Sequence, residues 1–178
     1  MGLSLKQSET RYTWDDYQSW SDDQRYELIG GEPFAMAPSP GFRHQTIAGE
    51  LAAVLIPHFR GKECRAFIAP FDVKLSEQDI VQPDLFVVCD KNQIKRTHTE
   101  GAPALVVEII SPSSAAHDRI RKMDLYARCG VKEVWLVTPY PPMVEIFLLD
   151  GARYRRVSAF QKEDALVSAT VPELRIPL

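Results

Sequence analysis

A chain of 178 residues, 45% of them apolar and 25% charged, is long enough for one domain with a sizeable core and has an ordinary globular composition. Its formal net charge of −3 excludes a global basic field for holding a polyanion, though not a local basic rim. Three cysteines, Cys64, Cys89 and Cys129, are odd in number and lack CxxC spacing, which argues against both a disulfide framework and a cysteine zinc site.

The N-terminal segment lacks the apolar core of a signal peptide, its Met-Gly start has no further support as a myristoylation site, and no run approaches membrane-spanning length. A soluble cytoplasmic protein without membrane contact is expected. Residues 1–11 read as a tail and 12–178 as a single domain. Thr13 suits the N-cap of a short helix reaching about Trp20, with Asp15 and Asp16 in its first turn. A hairpin follows: Tyr26 to Ile29, a Gly30-Gly31 turn, and a return strand near Phe34 to Ala37. Phe42 to Phe59 has helical periodicity, with Ile47, Leu51, Val54 and Leu55 on one stripe and Pro57 disturbing the last turn. The segment 64–75 reads as two short strands or as one strand bent at Pro70.

A strand from about Asp84 to Cys89 precedes a loop over 91–103, and Ala104 to Ile110 forms a second strand. Ser113 or Ser114 caps a helix to about Arg128, which Gly130 ends, and Ile120, Met123 and Ala127 have core spacing. Three further strands follow: "EVWLVTP", "MVEIFLL" and, after a turn at Asp150-Gly151, "RYRRVSAF". The pattern predicts an α/β (α+β) fold with a mixed central sheet flanked by helices.

Two of these strands carry an acid among apolar residues. An ionised carboxylate buried without a partner costs several kcal/mol or takes up a proton. Side chains alternate along a strand, so Glu108 shares a face with Val106 and Ile110, and Asp84 shares one with Phe86 and Val88. If the two strands are neighbours, the acids converge at one sheet edge, where a hard divalent ion such as magnesium or manganese relieves their repulsion. Structurally, Asp84 after Pro83 could simply cap a turn. Glu27 points either into the same cleft or to solvent.

In the following helix Asp118, Lys122 and Tyr126 align at i, i+4, i+8. Either Asp118 and Lys122 form a solvated pair, or the Lys122 ammonium reaches over the strand end towards Glu108. His44, early in the long helix, reads first as a polar surface or capping residue. His58, His98 and His117 show no ligand spacing. No GxSxG elbow accompanies Ser111, Ser113 or Ser114, so a serine nucleophile is not indicated. The runs "KNQIKR", "RIRK" and "RYRR" are solvated faces or flank a cleft.

The blocks "YELIGGE", "SPGFRHQTIAGEL", "VQPDLFVV", "LVVEIISPSS" and "DRIRKMDLYARCGVKEVWLV", in that order over about residues 12–157, resemble a family of small bacterial proteins, abundant in cyanobacteria, described as "putative restriction endonuclease". That family belongs to the PD-(D/E)XK nuclease superfamily. The resemblance implies a restriction-endonuclease-like sheet flanked by helices and a magnesium- or manganese-dependent site for phosphodiester hydrolysis in nucleic acid, with DNA foremost. It assigns Asp84 and Glu108 as metal ligands, and Glu27 and His44 match family-typical positions. The superfamily's usual lysine, two residues after the second acid, is replaced by Ile110, and Lys122 is the natural substitute. The alternatives are a catalytically weak or inactive relative that binds nucleic acid or regulates, and a structural domain whose acids only make hydrogen bonds. Late edge strands leave room for a homodimer.

Overall fold

Among the described residues, three α-helices and thirteen strands form two principal sheets and a two-stranded ladder. The structure is a computed structural model that describes residues 10–21, 24–36, 40–110, 117–161, 164–171 and 174–177; of 117–119 and 177 it describes the backbone alone. The helices are α1 (Trp14–Ser19), α2 (Phe42–Phe59) and α3 (His117–Cys129). The strands are β1 (Tyr26–Ile29), β2 (Glu32–Ala35), β3 (Arg65–Ile68), β4 (Asp72–Ser76), β5 (Asp79–Val81), β6 (Leu85–Val88), β7 (His98–Glu100), β8 (Leu105–Ile109), β9 (Glu133–Pro139), β10 (Pro142–Asp150), β11 (Arg153–Phe160), β12 (Ala165–Val167) and β13 (Arg175–Pro177). One sheet has the order β2-β1-β5-β4-β7, the other β11-β10-β9-β8-β6-β3, and β12 pairs with β13. The mixed α+β architecture is the expected class, with its strands divided between two principal sheets.

The larger sheet is antiparallel except between β8 and β9, which run parallel because α3 carries the chain back between them. Strands in its centre are buried on both faces, which explains their unbroken apolar runs. On one face α2 packs Leu51, Leu55 and Phe59 against Leu85, Val87, Leu105, Val107 and Trp135. On the other, Leu125 and Tyr126 of α3 meet Phe86, Val88, Val106 and Leu136. Local chemistry explains several element ends. Thr13 forms a capping box with Asp16 at α1. The hairpin β1–β2 turns on Gly30 and Gly31, both at positive φ (60° and 76°), as a tight primed turn requires.

Several expectations change. The return strand of the first hairpin starts at Glu32 rather than near Phe34, because the two-residue glycine turn leaves no slack. The segment 64–75 is two strands in different sheets, β3 beside β6 and β4 beside β5. β5 and β7 are additional short strands; β7 lies in the stretch read as loop. Pro57 sits inside α2 without ending it. Val54 is exposed, and so is Ile120, whereas Met123 and Ala127 are only partly buried. The buried stripe of α3 runs through Leu125 and Tyr126, one register away, because Lys122 turns inward to meet buried acids. The proposed serine caps of α3 lie outside the described residues.

Cys64 and Cys89 are joined by a disulfide across 25 residues of sequence, which corrects the expectation drawn from cysteine count. Arg65 pairs with Val88, so the register of β3 against β6 sets the next two residues opposite each other. Spacing rules do not read such a pairing.

The C-terminal region is tied to the sheet by one acid. Glu133, fully buried at the start of β9, accepts from Trp135 Nε1 (2.6 Å), Ser168 Oγ (3.0 Å), Thr170 Oγ1 (2.5 Å) and the backbone N–H groups of Ala169 (3.3 Å) and Thr170 (2.7 Å). Charge-assisted donors of this kind satisfy a buried carboxylate in place of water.

Candidate active site

The pairing of β6 with β8 brings the two strand acids together. Leu85 faces Val107, so the next pair outward is Asp84 and Glu108, both on the α3 side of the sheet. Asp84 Oδ2 accepts the Ile109 backbone N–H at 2.7 Å, which fixes its carboxylate across the strand end. Its Oδ1 lies 3.1 Å from His44 Nε2, which the first turn of α2 delivers from the opposite face.

Glu108 Oε1 accepts from Tyr126 Oη at 2.5 Å and from Lys122 Nζ at 3.2 Å. The same Nζ lies 2.8 Å from Glu27 Oε1, and that oxygen also accepts the Gln82 backbone N–H at 2.9 Å. The five residues singled out from sequence thus form two contact groups, His44 with Asp84 and Lys122 with Glu27 and Glu108, joined through the Ile109 N–H that Asp84 accepts, with side chains only 9–19% exposed. Glu27 points into the cleft. Lys122 reaches Glu108 and Glu27, because the helix spacing that puts Leu125 and Tyr126 in the core also turns it inward; the Asp118 side chain of the alternative pair lies outside the described residues. Ile110 packs against the core, and its N–H bonds to Val137 O at 2.8 Å.

Tyr126 and Gln82 were not assigned from sequence. The i, i+4 spacing of Lys122 and Tyr126 was the available signal for the tyrosine; nothing local marks Gln82, since it acts through its backbone. Of the basic runs, "RIRK" delivers Lys122 to the cluster, and its Arg121 lies over the Phe34 ring. On β11, Arg155 pairs with Asp150 and Arg156 with the buried Glu145.

Three carboxylates face one ammonium and one imidazole. Burial pushes the Glu108 carboxyl up; Lys122 opposes this, and the Asp84 and Glu27 carboxylates add to it, leaving it at about 7. Burial would lower the Lys122 ammonium, but Glu108 and Glu27 outweigh it and hold it charged. The hydrogen bond to Asp84 raises His44, against the cost of burial. Burial, then the charge of Glu108, raises the Tyr126 hydroxyl, so it stays a donor.

Both the Glu108 and the His44 shift make the folded state hold protons that the unfolded chain releases. Glu108 resists ionisation between the usual carboxylate range and about pH 7, and the contribution of His44 fades as pH rises through its raised value. With a chelator present, the thermal midpoint is therefore expected to fall steadily from pH 5 to pH 8, and Glu108→Gln to flatten that slope. Calorimetric melts at fixed ionic strength check it; a flat or rising midpoint in the unaltered protein contradicts it.

The donor set fits a hard divalent cation. Magnesium prefers oxygen ligands, commonly takes only one or two protein carboxylates, and completes its shell with water and phosphate. Asp84 and Glu108 supply such a pair amid an excess of negative charge. Among the described residues no group of three or more His, Cys, Asp or Glu forms a ready-made metal cage.

Comparison with known proteins adds the following. The sequence model described as "Uma2: Putative restriction endonuclease" matches residues 14–178. A protein of Synechocystis sp. (strain ATCC 27184 / PCC 6803 / Kazusa), "Uncharacterized protein slr1290", is 30% identical over 155 residues, covering 84% of this chain and 74% of that protein. The crystal structure of "a putative nuclease belonging to DUF820" from Anabaena variabilis ATCC 29413 superposes with a TM-score of 0.75 at 18% identity, over 93% of this chain and 94% of that one. This last likeness establishes the fold. No described helix is long and apolar enough to cross a membrane.

Proposed function

Because this chain belongs to the Uma2 family, described as putative restriction endonuclease, and gathers its acids at one sheet edge, we propose that it is a metal-dependent endonuclease hydrolysing phosphodiester bonds, with DNA as its substrate. The observation that carries this reading is the juxtaposition of Asp84 and Glu108 across the β6–β8 ladder, with Lys122 in contact with Glu108. Hydrolysis of a phosphodiester needs an oriented water, relief of charge on the phosphoryl oxygens and help for the departing alkoxide.

Asp84 and Glu108 would hold magnesium or manganese, which when bound supplies Lewis acidity and lowers the pKa of water. The chain's own residues do the rest. The Ile109 N–H and His44 orient the Asp84 carboxylate. Tyr126 donates to Glu108 Oε1 and fixes that carboxylate from the α3 side. Lys122 keeps its charge, so it can position the attacking water or stabilise charge developing on the phosphate. It thereby takes the part of the lysine that Ile110 cannot supply. Glu27 holds the ammonium in place from β1. Two such sites in a homodimer would cut both strands of a duplex.

Ile110 at the usual lysine position favours a second reading, a non-cleaving relative that still binds nucleic acid. Nicking of supercoiled plasmid in magnesium or manganese, with chelator as the blank, separates the two. The unaltered protein is expected to nick. Lys122→Ala is expected to lower the rate about a hundredfold, with manganese affinity by calorimetry unchanged or tighter because an opposing charge is gone. Unimpaired nicking by that variant would remove Lys122 from the chemistry. A wild-type protein that binds DNA but never nicks in either metal would leave the second reading.

A further inference from the structure

Gln82 stands in the short link between β5 and β6, two residues before Asp84 and so at most about 7 Å from it along the chain. Its backbone N–H holds Glu27 Oε1, while its buried side chain holds a different group. The amide Nε2 donates to Asp72 Oδ1 at 2.8 Å and to Tyr17 Oη at 3.3 Å, and Tyr17 Oη donates to the same Asp72 oxygen at 3.0 Å. Those partners fix which way the amide faces, so its Oε1 is left to accept. It accepts from Arg25, from Nε at 3.1 Å and from one terminal nitrogen. Arg25 extends the β1–β2 ladder, where its carbonyl accepts the Met36 N–H at 2.9 Å. It stands two residues before Glu27, so alternation puts both side chains on one face, and both reach Gln82. Gln82 thus bridges the exposed Arg25 and the Glu27–Lys122 pair.

The amide sets Arg25 apart from other arginines of the chain. Arg11, Arg128, Arg155 and Arg156 each face a carboxylate, which offsets their charge. The Arg25 guanidinium is oriented by a neutral oxygen and makes no ion pair among the described residues. A carboxylate at position 82 would neutralise it. The amide fixes its direction and leaves its charge and remaining N–H donors for a further partner. The planar fork of those donors matches two oxygens of a phosphate. Lys122 is already engaged by two carboxylates, and Asp84 adds a third, so a polyanion nearing these acids meets repulsion unless a cation stands beside them. Arg25 is such a cation, held in one direction on the Glu27 face of β1.

We propose that Arg25, set in place by the Gln82 amide, binds a phosphate of the nucleic-acid strand, next to the one that the nuclease reading puts at Asp84 and Glu108. The proposal rests on that reading and deepens it, since it names a residue that grips the strand beside the acids and takes no part in bond cleavage. A phosphate contact carries no base information, so Arg25 fixes the position of the strand and leaves sequence choice to other groups.

The test is fluorescence anisotropy of the full chain with a short labelled duplex oligodeoxynucleotide, run in chelator so that nothing is cut and repeated over a series of salt concentrations. Arg25→Gln is expected to weaken binding about tenfold, equally for two duplexes of unrelated sequence, and to lower the slope of log affinity against log salt by about one. Arg25→Lys is expected to restore the slope and most of the affinity, since it keeps the charge and loses only the fork. Arg60→Gln makes the same charge change at the far end of α2, roughly 24 Å along the helix from His44, and is expected to alter the affinity less than about twofold. An arginine that merely braces Gln82, or a variant that is partly unfolded, would weaken binding without moving the slope, and lysine would not restore it; that result overturns the proposal. So do a loss that differs between the two sequences, an equal loss in Arg60→Gln, and a chain that binds no duplex at low salt. Nicking in magnesium or manganese is read separately. A slope that falls in a protein that never nicks sinks the nuclease reading alone, and nicking with a slope indifferent to Arg25→Gln sinks this proposal alone.

Discussion

Glu108→Gln and Asp84→Asn are each expected to lower cleavage by more than about a thousandfold and to weaken magnesium or manganese binding by more than about a hundredfold. Either change removes one negative charge from the pair that, on the nuclease proposal, would hold the cation. The two variants differ in what else they disturb. In Glu108→Gln the new amide oxygen could still accept from Tyr126 and Lys122, so the fold should hold. The melting point at neutral pH should rise, since a carboxyl that burial pushes to about 7 no longer has to be accommodated. Asp84→Asn could keep the bond from the Ile109 N–H but loses the charge that holds His44. Calorimetric titration with manganese, alongside plasmid nicking, reads both effects. Unchanged metal affinity in both variants would remove the metal site from this strand pair and the nuclease proposal with it.

The second large effect concerns stability. Glu133→Ala is expected to destabilise the protein by about 3–5 kcal/mol, because it strips the acceptor from the buried donors of Trp135 and Ser168 and the half-buried donors of Thr170. In a domain of this size that corresponds to a fall in thermal midpoint of roughly 10–15 °C. Urea titration followed by tryptophan fluorescence is well suited to the measurement, since Trp135 donates to the mutated carboxylate. Glu133→Gln should cost less, because it retains an acceptor oxygen. A loss below about 1 kcal/mol for the alanine variant would mean that water replaces the carboxylate and that the C-terminal ladder does not depend on it.

The contrast between these two acids bears on how a buried charge is to be read. Glu108 and Glu133 both stand in apolar strands, yet Glu133 is met by five donors and Glu108 by a lysine, a tyrosine and two further acids. A fully satisfied carboxylate is a tether. A carboxylate that shares its surroundings with like charge gains from a nearby cation, here the Lys122 ammonium and, on the proposal above, a metal ion. Glu133 drew no attention in the sequence because it opens a strand, where a solvent-facing acid is ordinary. Apart from Trp135, its partners arrive from 35–37 residues away.

Much was legible because it is local. Glu108 is anomalous within a seven-residue apolar run, Thr13 precedes a helix with an acid three residues on, and two glycines between strand-like segments make a turn; each rests on steric or hydrogen-bonding rules that act within a few residues. Alternation along β6 and β8 then assigned Asp84 and Glu108 to faces, leaving open only whether the strands are neighbours. The sequence by itself determined which residues are chemically out of place. Only the tertiary structure decided what they meet: the β6–β8 register that faces Asp84 with Glu108, the rotation of α3 that turns Lys122 and Tyr126 inward and Ile120 out, the division of the strands into two sheets, and the Cys64–Cys89 bond. Those outcomes depend on which of many possible strand pairings and helix rotations buries the most apolar surface while leaving the fewest polar groups unpaired. That comparison is made over the whole chain at once, and no local run of residues contains it.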